Sequence, residues 1–160
     1  MFITIAFSSC SDNDETNIED IKKNQIKFED KIYDISWGEI ERENEGDGFY
    51  IALFPSTITL NGENQNTYAG SGFILEIEPI LTNNDTPEGV YNESKAWVYF
   101  IPSGFVNGEY QEDSIEHYIG SNLNFIIKKN ANIYEFSITG KDDRGLEFNA
   151  YYKGSLIEHE

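Results

Sequence analysis

The sequence predicts an all-β protein, an antiparallel meander of about nine or ten strands forming a β-sandwich or flattened barrel, with a lipocalin-like closed barrel as the alternative. Three observations predict it. From Ile26 onward, apolar residues recur with a period of two. Gly, Asn and Asp interrupt that pattern at short intervals, as turns require. Aromatic residues make up 14% of the 160 residues, with 10 Tyr and 11 Phe, and these residue types favour strands.

Each element follows from this pattern. Residues 26–28 and 31–35 flank Glu29-Asp30 and read as a small hairpin. Residues 48–55 (GFYIALFP) read as a strand, and 56–61 are expected to pair with it. In 72–78, Phe73, Leu75 and Ile77 share one face, while Ile74, Glu76 and Glu78 share the other. Residues 95–101 (KAWVYFI) are apolar on both faces, which predicts a central or covered strand. Residues 114–119 form a shorter strand, with His117 on the face of Ile115 and Ile119. Leu123, Phe125 and Ile127 align, as do Tyr134, Phe136 and Ile138 in the next strand. The turn 141–145 leads to Leu146, Phe148, Ala150 and Tyr152, and 153–157 reads as the last strand. Dense Glu and Lys on solvent faces suit the protection of sheet edges.

Charge excludes several functions. Lys plus Arg total 11 against 29 Asp plus Glu, a formal charge of −18. Such a chain repels phosphate backbones, so no nucleic-acid partner is expected. Anionic membrane surfaces are disfavoured for the same reason. No apolar run reaches the roughly 20 residues of a membrane helix. Cys10 is the only cysteine, so neither an internal disulfide nor a thiolate metal cluster can form.

The first ten residues are MFITIAFSSC. An apolar run, two small residues and then Cys10 resemble the end of a bacterial lipoprotein signal peptide, with Phe7 standing where many such signals have Leu. The resemblance implies cleavage before Cys10 and lipidation of its sulfur, giving membrane attachment through an N-terminal lipid. The run lacks a basic start, since Lys22 is the first cation, so 1–9 is read as a partial signal whose start lies upstream. The competing reading is a short N-terminal strand with an incidental cysteine. Ser11-Asp12-Asn13-Asp14-Glu15 is similar to the export signal of surface lipoproteins in Bacteroidetes, which implies an outer-membrane location facing the cell exterior. Residues 10–25 then form an acidic flexible tether, and 26–158 a single β domain. The segments KIYDISWGEI, GFYIALFPSTITL, GSGFILEIE, PEGVY and YEFSITGKDDRGLEFNAYYKGSL resemble all-β lipoproteins of that group, for which no activity is assigned. The resemblance brings no catalytic residue with it.

The search for chemistry yields few candidates. His117 reads as a packed, hydrogen-bonded residue, and His159, next to the C-terminus, as mobile. No histidine pair has zinc spacing. Calcium has weak candidates in Glu43, Glu45 and Asp47, which with Glu41 crowd the loop ERENEGDG; a solvated acidic hairpin tip is the preferred explanation. Asp142 and Asp143 are a weaker pair in a turn. There is no Gly-x-Ser-x-Gly, no phosphate-binding glycine loop and no cofactor motif, so the chain is read as a non-enzyme without cofactors. Asp113-Ser114-Ile115 is similar to the O-glycosylation motif of Bacteroidetes envelope proteins, with Ser114 as acceptor. Asn84 and Asn92 begin N-glycan sequons.

Binding remains. Trp37, Trp97 and Tyr151, with Tyr50, Tyr99 and Tyr118, are aromatic candidates for stacking on a sugar or gripping a protein; cross-strand packing is the alternative. Tyr151 and Tyr152 are adjacent, so alternation sends them to opposite faces. The expected function is a lipid-anchored binding domain at the cell surface with a glycan or protein ligand. The alternative is a lipocalin-like carrier of an apolar molecule, which needs a hollow interior.

Overall fold

The computed structural model describes residues 23–42, 48–61, 67–80 and 86–159. Cys10, Glu43, Glu45, Asp47 and Asn84 therefore lie outside the described residues. Among the described residues there are fourteen strands and no helix. They are Gln25–Phe28 (β1), Lys31–Asp34 (β2), Trp37–Arg42 (β3), Phe49–Phe54 (β4), Ile58–Asn61 (β5), Thr67–Gly70 (β6) and Gly72–Pro79 (β7). Gly89–Tyr91 (β8), Ala96–Val106 (β9), Glu109–Tyr110 (β10), His117–Asn130 (β11), Ile133–Asp142 (β12), Glu147–Gly154 (β13) and Ile157–His159 (β14) follow.

Twelve of these form one sheet in the order β14-β3-β4-β7-β9-β11-β12-β13-β1-β2, with β10 on β9 and β8 on β11. The sheet curls into two facing layers. One contains β1, β2, β8, β12 and β13; the other contains β3, β4, β7, β9, β10 and β14. Strand β11 belongs to both. His117 and Tyr118 pair with β9, and from Ile119 onward the strand pairs with β12. The change of layer coincides with register shifts between Ile119 and Asn124, and with Asn122 at a φ of 53°. A bulge of this kind bends a strand so that it can leave one layer for another. Where β11 peels away from β9, β8 takes its free edge, with Phe125 opposite Tyr91.

At the opposite corner only Ile35 and Ser36 link β2 to β3, although these strands lie near opposite ends of the sheet order. Two residues can span only one corner, so the ends of the sheet are neighbours in space. They are not paired to each other, which makes the molecule a flattened half-barrel rather than a closed lipocalin-like barrel.

Alternation fills the space between the layers. Ile26 and Phe28, Phe73, Leu75 and Ile77, Phe125 and Ile127, Phe136 and Ile138, and Phe148 and Ala150 all point inward and are buried. Phenyl rings occupy the middle: Phe100 lies 5.5 Å from Phe28 and 5.8 Å from Phe148, centroid to centroid. Each fully buried ring of this size contributes about 2–3 kcal/mol of hydrophobic stabilisation. Edge-to-face contacts such as that of Phe28 with Phe100 add to it.

A second, smaller core lies on the outside of the β3-β4-β7-β9 layer. The hairpin β5-β6 forms a separate two-stranded sheet and covers Phe54, Ile74, Ile101 and Phe105. The expected pairing of 56–61 with the preceding strand is therefore corrected: β5 pairs with β6. Pro55 ends β4, and the chain folds over the layer instead of alongside it. Gly70 permits this, since its φ is 96° and a Cβ there would lie 1.9 Å from the Thr57 carbonyl oxygen.

Other expectations are corrected at the ends of elements. Residues 114–116 precede the strand instead of starting it; Ile115 is 75% exposed, while His117 and Ile119 are buried. Leu146 lies in the turn and is exposed. Strand β13 stops at Gly154, and the last strand is β14, which runs parallel to β3 in an otherwise antiparallel sheet. His159 is consequently held in a strand and is not a mobile tail residue. Just before β1, the side chain of Asn24 extends the β1-β13 ladder. Its amide donates to the Lys153 carbonyl at 3.1 Å, and its oxygen accepts from the Lys153 amide at 2.8 Å.

Candidate binding surface

The uncovered part of the outer β3-β4-β7-β9 face carries carboxylates and aromatic rings in register. Glu41 lies opposite Tyr50. Glu76 lies opposite Tyr99 and Glu78 opposite Trp97. Tyr99 in turn lies opposite Tyr118, their rings 5.4 Å apart and tilted by 37°. One row nearer the hairpin the face is apolar and covered, with Ile74 opposite Ile101. The sheet surface thus changes from a buried apolar half to an open acidic and aromatic half. Period-two alternation causes this: every residue of the strip has an inward-pointing neighbour in the core.

Two carboxylates are fixed by tyrosines. The Tyr50 hydroxyl donates to Glu76 Oε1 at 2.8 Å. Tyr68, from the hairpin, donates to Glu39 Oε1, and His159 Nε2 lies 3.0 Å from Glu39 Oε2. Glu39 is buried at 4% exposure, so both of its oxygens need these partners.

Carboxylates dominate the electrostatics around Tyr99 and Tyr110. Burial pushes the Glu76 carboxyl above its usual range; the Tyr50 hydrogen bond opposes this, and Glu116 and Glu78 add to it. Tyr110 is pushed up to about 12 by burial first, then by Glu76, Glu116 and Glu112. Burial, and next Glu78, also raise Tyr99. Such a surface presents hydrogen-bond acceptors and aromatic faces together. It suits a ligand with hydroxyl or ammonium donors and an apolar face.

The aromatic candidates are distributed unequally. Trp97 is 45% exposed within this strip. Trp37 lies on the same layer but belongs to the second core: its ring stacks on Phe54 at 4.4 Å, and its Nε1 donates to the Ile58 carbonyl at 2.8 Å. Packing under the hairpin removes it from the open face, although its edge lines a shallow groove with Leu60 and Ile157. Tyr151 is on the outside of the other layer, opposite Ser137 and Gln25, while Tyr152 is in the core. The three are therefore not brought together. Tyr50 and Tyr110 complete the strip, and their partners Glu76 and Glu116 come from other strands and loops. Only the register across β4, β7 and β9 reveals that combination.

The remaining candidates are placed as follows. Ser114 lies in the loop after β10, and its hydroxyl donates to the Ser103 carbonyl at 2.8 Å. Asn92 is exposed, and its side chain accepts from Ser94. His117 is packed, its ring 4.7 Å from that of Phe28. Asp142 is buried, and accepts from the amides of Arg144 and Leu146 at 3.0 and 2.8 Å and from Arg144 Nε at 2.8 Å. Protein donors surround it, which is a poor setting for a cation. Among the described residues no group of three or more His, Cys, Asp or Glu side chains is placed to hold a metal ion. No helix among them is long and apolar enough to cross a membrane. Comparison with family models, curated proteins and solved structures finds no match to this chain.

Proposed function

We propose that the chain is a lipid-anchored cell-envelope protein that presents a non-catalytic binding domain on the exterior of the outer membrane, and that the acidic, aromatic strip is its ligand surface. The observation that carries the reading is the row in which Trp97 faces Glu78, beside Tyr99 facing Glu76. Aromatic faces accept the apolar face of a sugar ring, and neighbouring carboxylates accept its hydroxyls. A glycan is the first ligand class. The interior packed with phenyl rings favours a surface binder over a carrier of apolar molecules.

A second reading, a basic protein partner, is favoured by Glu76, Glu78, Glu112 and Glu116, all of which act on Tyr110 or its neighbours. Salt separates the two. Binding to a basic partner weakens steeply as ionic strength rises, whereas glycan stacking does not.

The test is a glycan array probed with the wild-type domain and with Trp97→Ala. Glycan hits that drop by about tenfold or more in the variant support the reading, since one aromatic stacking contact is worth about 1–3 kcal/mol. Hits that persist unchanged in Trp97→Ala move the ligand site elsewhere. Anchoring is checked separately: Cys10→Ala should abolish incorporation of labelled fatty acid, and protease treatment of intact cells should release the domain.

A further inference from the structure

At one end of the half-barrel the space between the layers opens into a small recess of about 170 Å³. Its floor is apolar: Ile40, Phe49, Pro87 and Tyr134 are all buried. Its rim is charged. Arg42 continues the inward face of β3 after Ile40, and Lys129 continues the inward face of β11 after Leu123, Phe125 and Ile127. Both cations therefore occupy positions that alternation assigns to the core. Each is held over a ring of the floor, the Arg42 guanidinium carbon 5.8 Å from the centre of Phe49 and Lys129 Nζ 4.7 Å from that of Tyr134.

The opposite end contrasts with this. There the inward-facing Asp142 is sealed by Arg144 and two backbone amides. At the recess, Lys129 has Glu158 at 3.6 Å, and the Tyr134 hydroxyl reaches the same carboxylate at 3.4 Å. Glu158 is 66% exposed on its side chain, so this ion pair is weak and exchangeable. In a chain of charge −18, two cations, Arg42 and Lys129, line one recess with an apolar floor.

We propose that this recess binds a small organic anion, a carboxylate on a flat apolar body. The body lies on Ile40, Phe49 and Pro87, and the carboxylate replaces Glu158 beside Lys129 and Arg42. This site is separate from the acidic outer strip, and the failure of either leaves the other standing.

Calorimetric titration with 2-naphthoate tests it. One-to-one saturation is expected, with affinity reduced about tenfold or more in Lys129→Gln, because a charge-assisted contact is lost. Glu158→Gln removes the competing carboxylate and should tighten binding. The neutral analogue 2-naphthamide should bind more weakly than naphthoate and respond little to Lys129→Gln. Thermal melting checks that both variants fold, and both positions are solvent-accessible. Lack of saturation through the millimolar range in the wild-type protein overturns the proposal. So does an affinity for naphthoate that Lys129→Gln leaves unchanged, or equal affinity for the acid and the amide.

Discussion

Arg144 holds Asp142 at two points: its Nε lies 2.8 Å from Oδ2, and its backbone amide lies 3.0 Å from Oδ1. Its terminal nitrogen also reaches His117 Nδ1 at 3.1 Å and Glu29 at 3.2 Å. Arginine only donates, so His117 Nδ1 is the acceptor in that contact. One guanidinium thus joins the β12-β13 turn to β11 and to the β1-β2 turn. Asp142→Asn should cost about 2–3 kcal/mol, because buried donors lose a charged acceptor. Urea unfolding measures this. Burial works against ionisation of Asp142, but the Leu146 amide and Arg144 outweigh it and hold the carboxyl below its ordinary value. A depressed carboxyl stabilises the fold above its unfolded pKa of about 4, and that stabilisation is lost as pH falls through the lower folded value. The gap between wild type and Asp142→Asn should therefore narrow below about pH 4.

Glu76 has the opposite sign. Its folded pKa is raised, chiefly by burial, so the native state holds its proton more tightly than the unfolded chain. Stability then falls as pH rises through the folded pKa, and the cost persists at neutral pH. Glu76→Gln keeps an oxygen for the Tyr50 hydroxyl and removes the charge. It should raise the melting temperature at pH 7 by about 1–3 °C, with the gain shrinking as pH is lowered towards 4. A lower melting temperature at pH 7 would show that the charge is stabilising.

The two tryptophans should be separable by fluorescence. Trp37 is stacked on Phe54 under the hairpin, while Trp97 is 45% exposed. Trp97→Phe should leave a blue-shifted emission poorly quenched by acrylamide, and Trp37→Phe a red-shifted emission that is readily quenched. Equal quenching in the two variants would contradict the placement of the hairpin over the sheet.

Phe100 touches Phe28, Tyr33, Phe73 and Phe148 through its ring. Phe100→Ala empties the middle of the core and should destabilise the fold by about 3–5 kcal/mol. Chemical denaturation reads the loss, which should exceed that of Trp97→Ala on the exposed face.

Alternation made the inward faces legible. Phe73, Leu75 and Ile77, or Tyr134, Phe136 and Ile138, needed no knowledge of partners. What was not legible depended on distant residues. The segment WGEIER reads as polar, yet it forms β3 because Glu39 is satisfied by Tyr68 and by His159, 120 positions away. The run IGSNLN looks like a break between two strands, but a bulge carries β11 through it. Residues 56–61 read as a partner of the strand just before them, and Pro55 and Gly70 direct β5 to β6 instead. The acidic, aromatic strip was half visible. Trp97, Tyr99 and Tyr118 stand among the six aromatic candidates, but their alignment with Glu76 and Glu78 is a property of register, which no single strand encodes.

The Asn24 side chain, bonded to both the amide and the carbonyl of Lys153, acquires a mechanical meaning if the chain is held by its N-terminus. Tension arriving from residue 23 runs along β1, which is flanked by β13 and β2. The ladder is then loaded in shear, with its hydrogen bonds resisting together instead of parting one by one. Asn24 would take the first share of such a load and pass it to β13 through its two hydrogen bonds before the backbone pairs of β1 are strained.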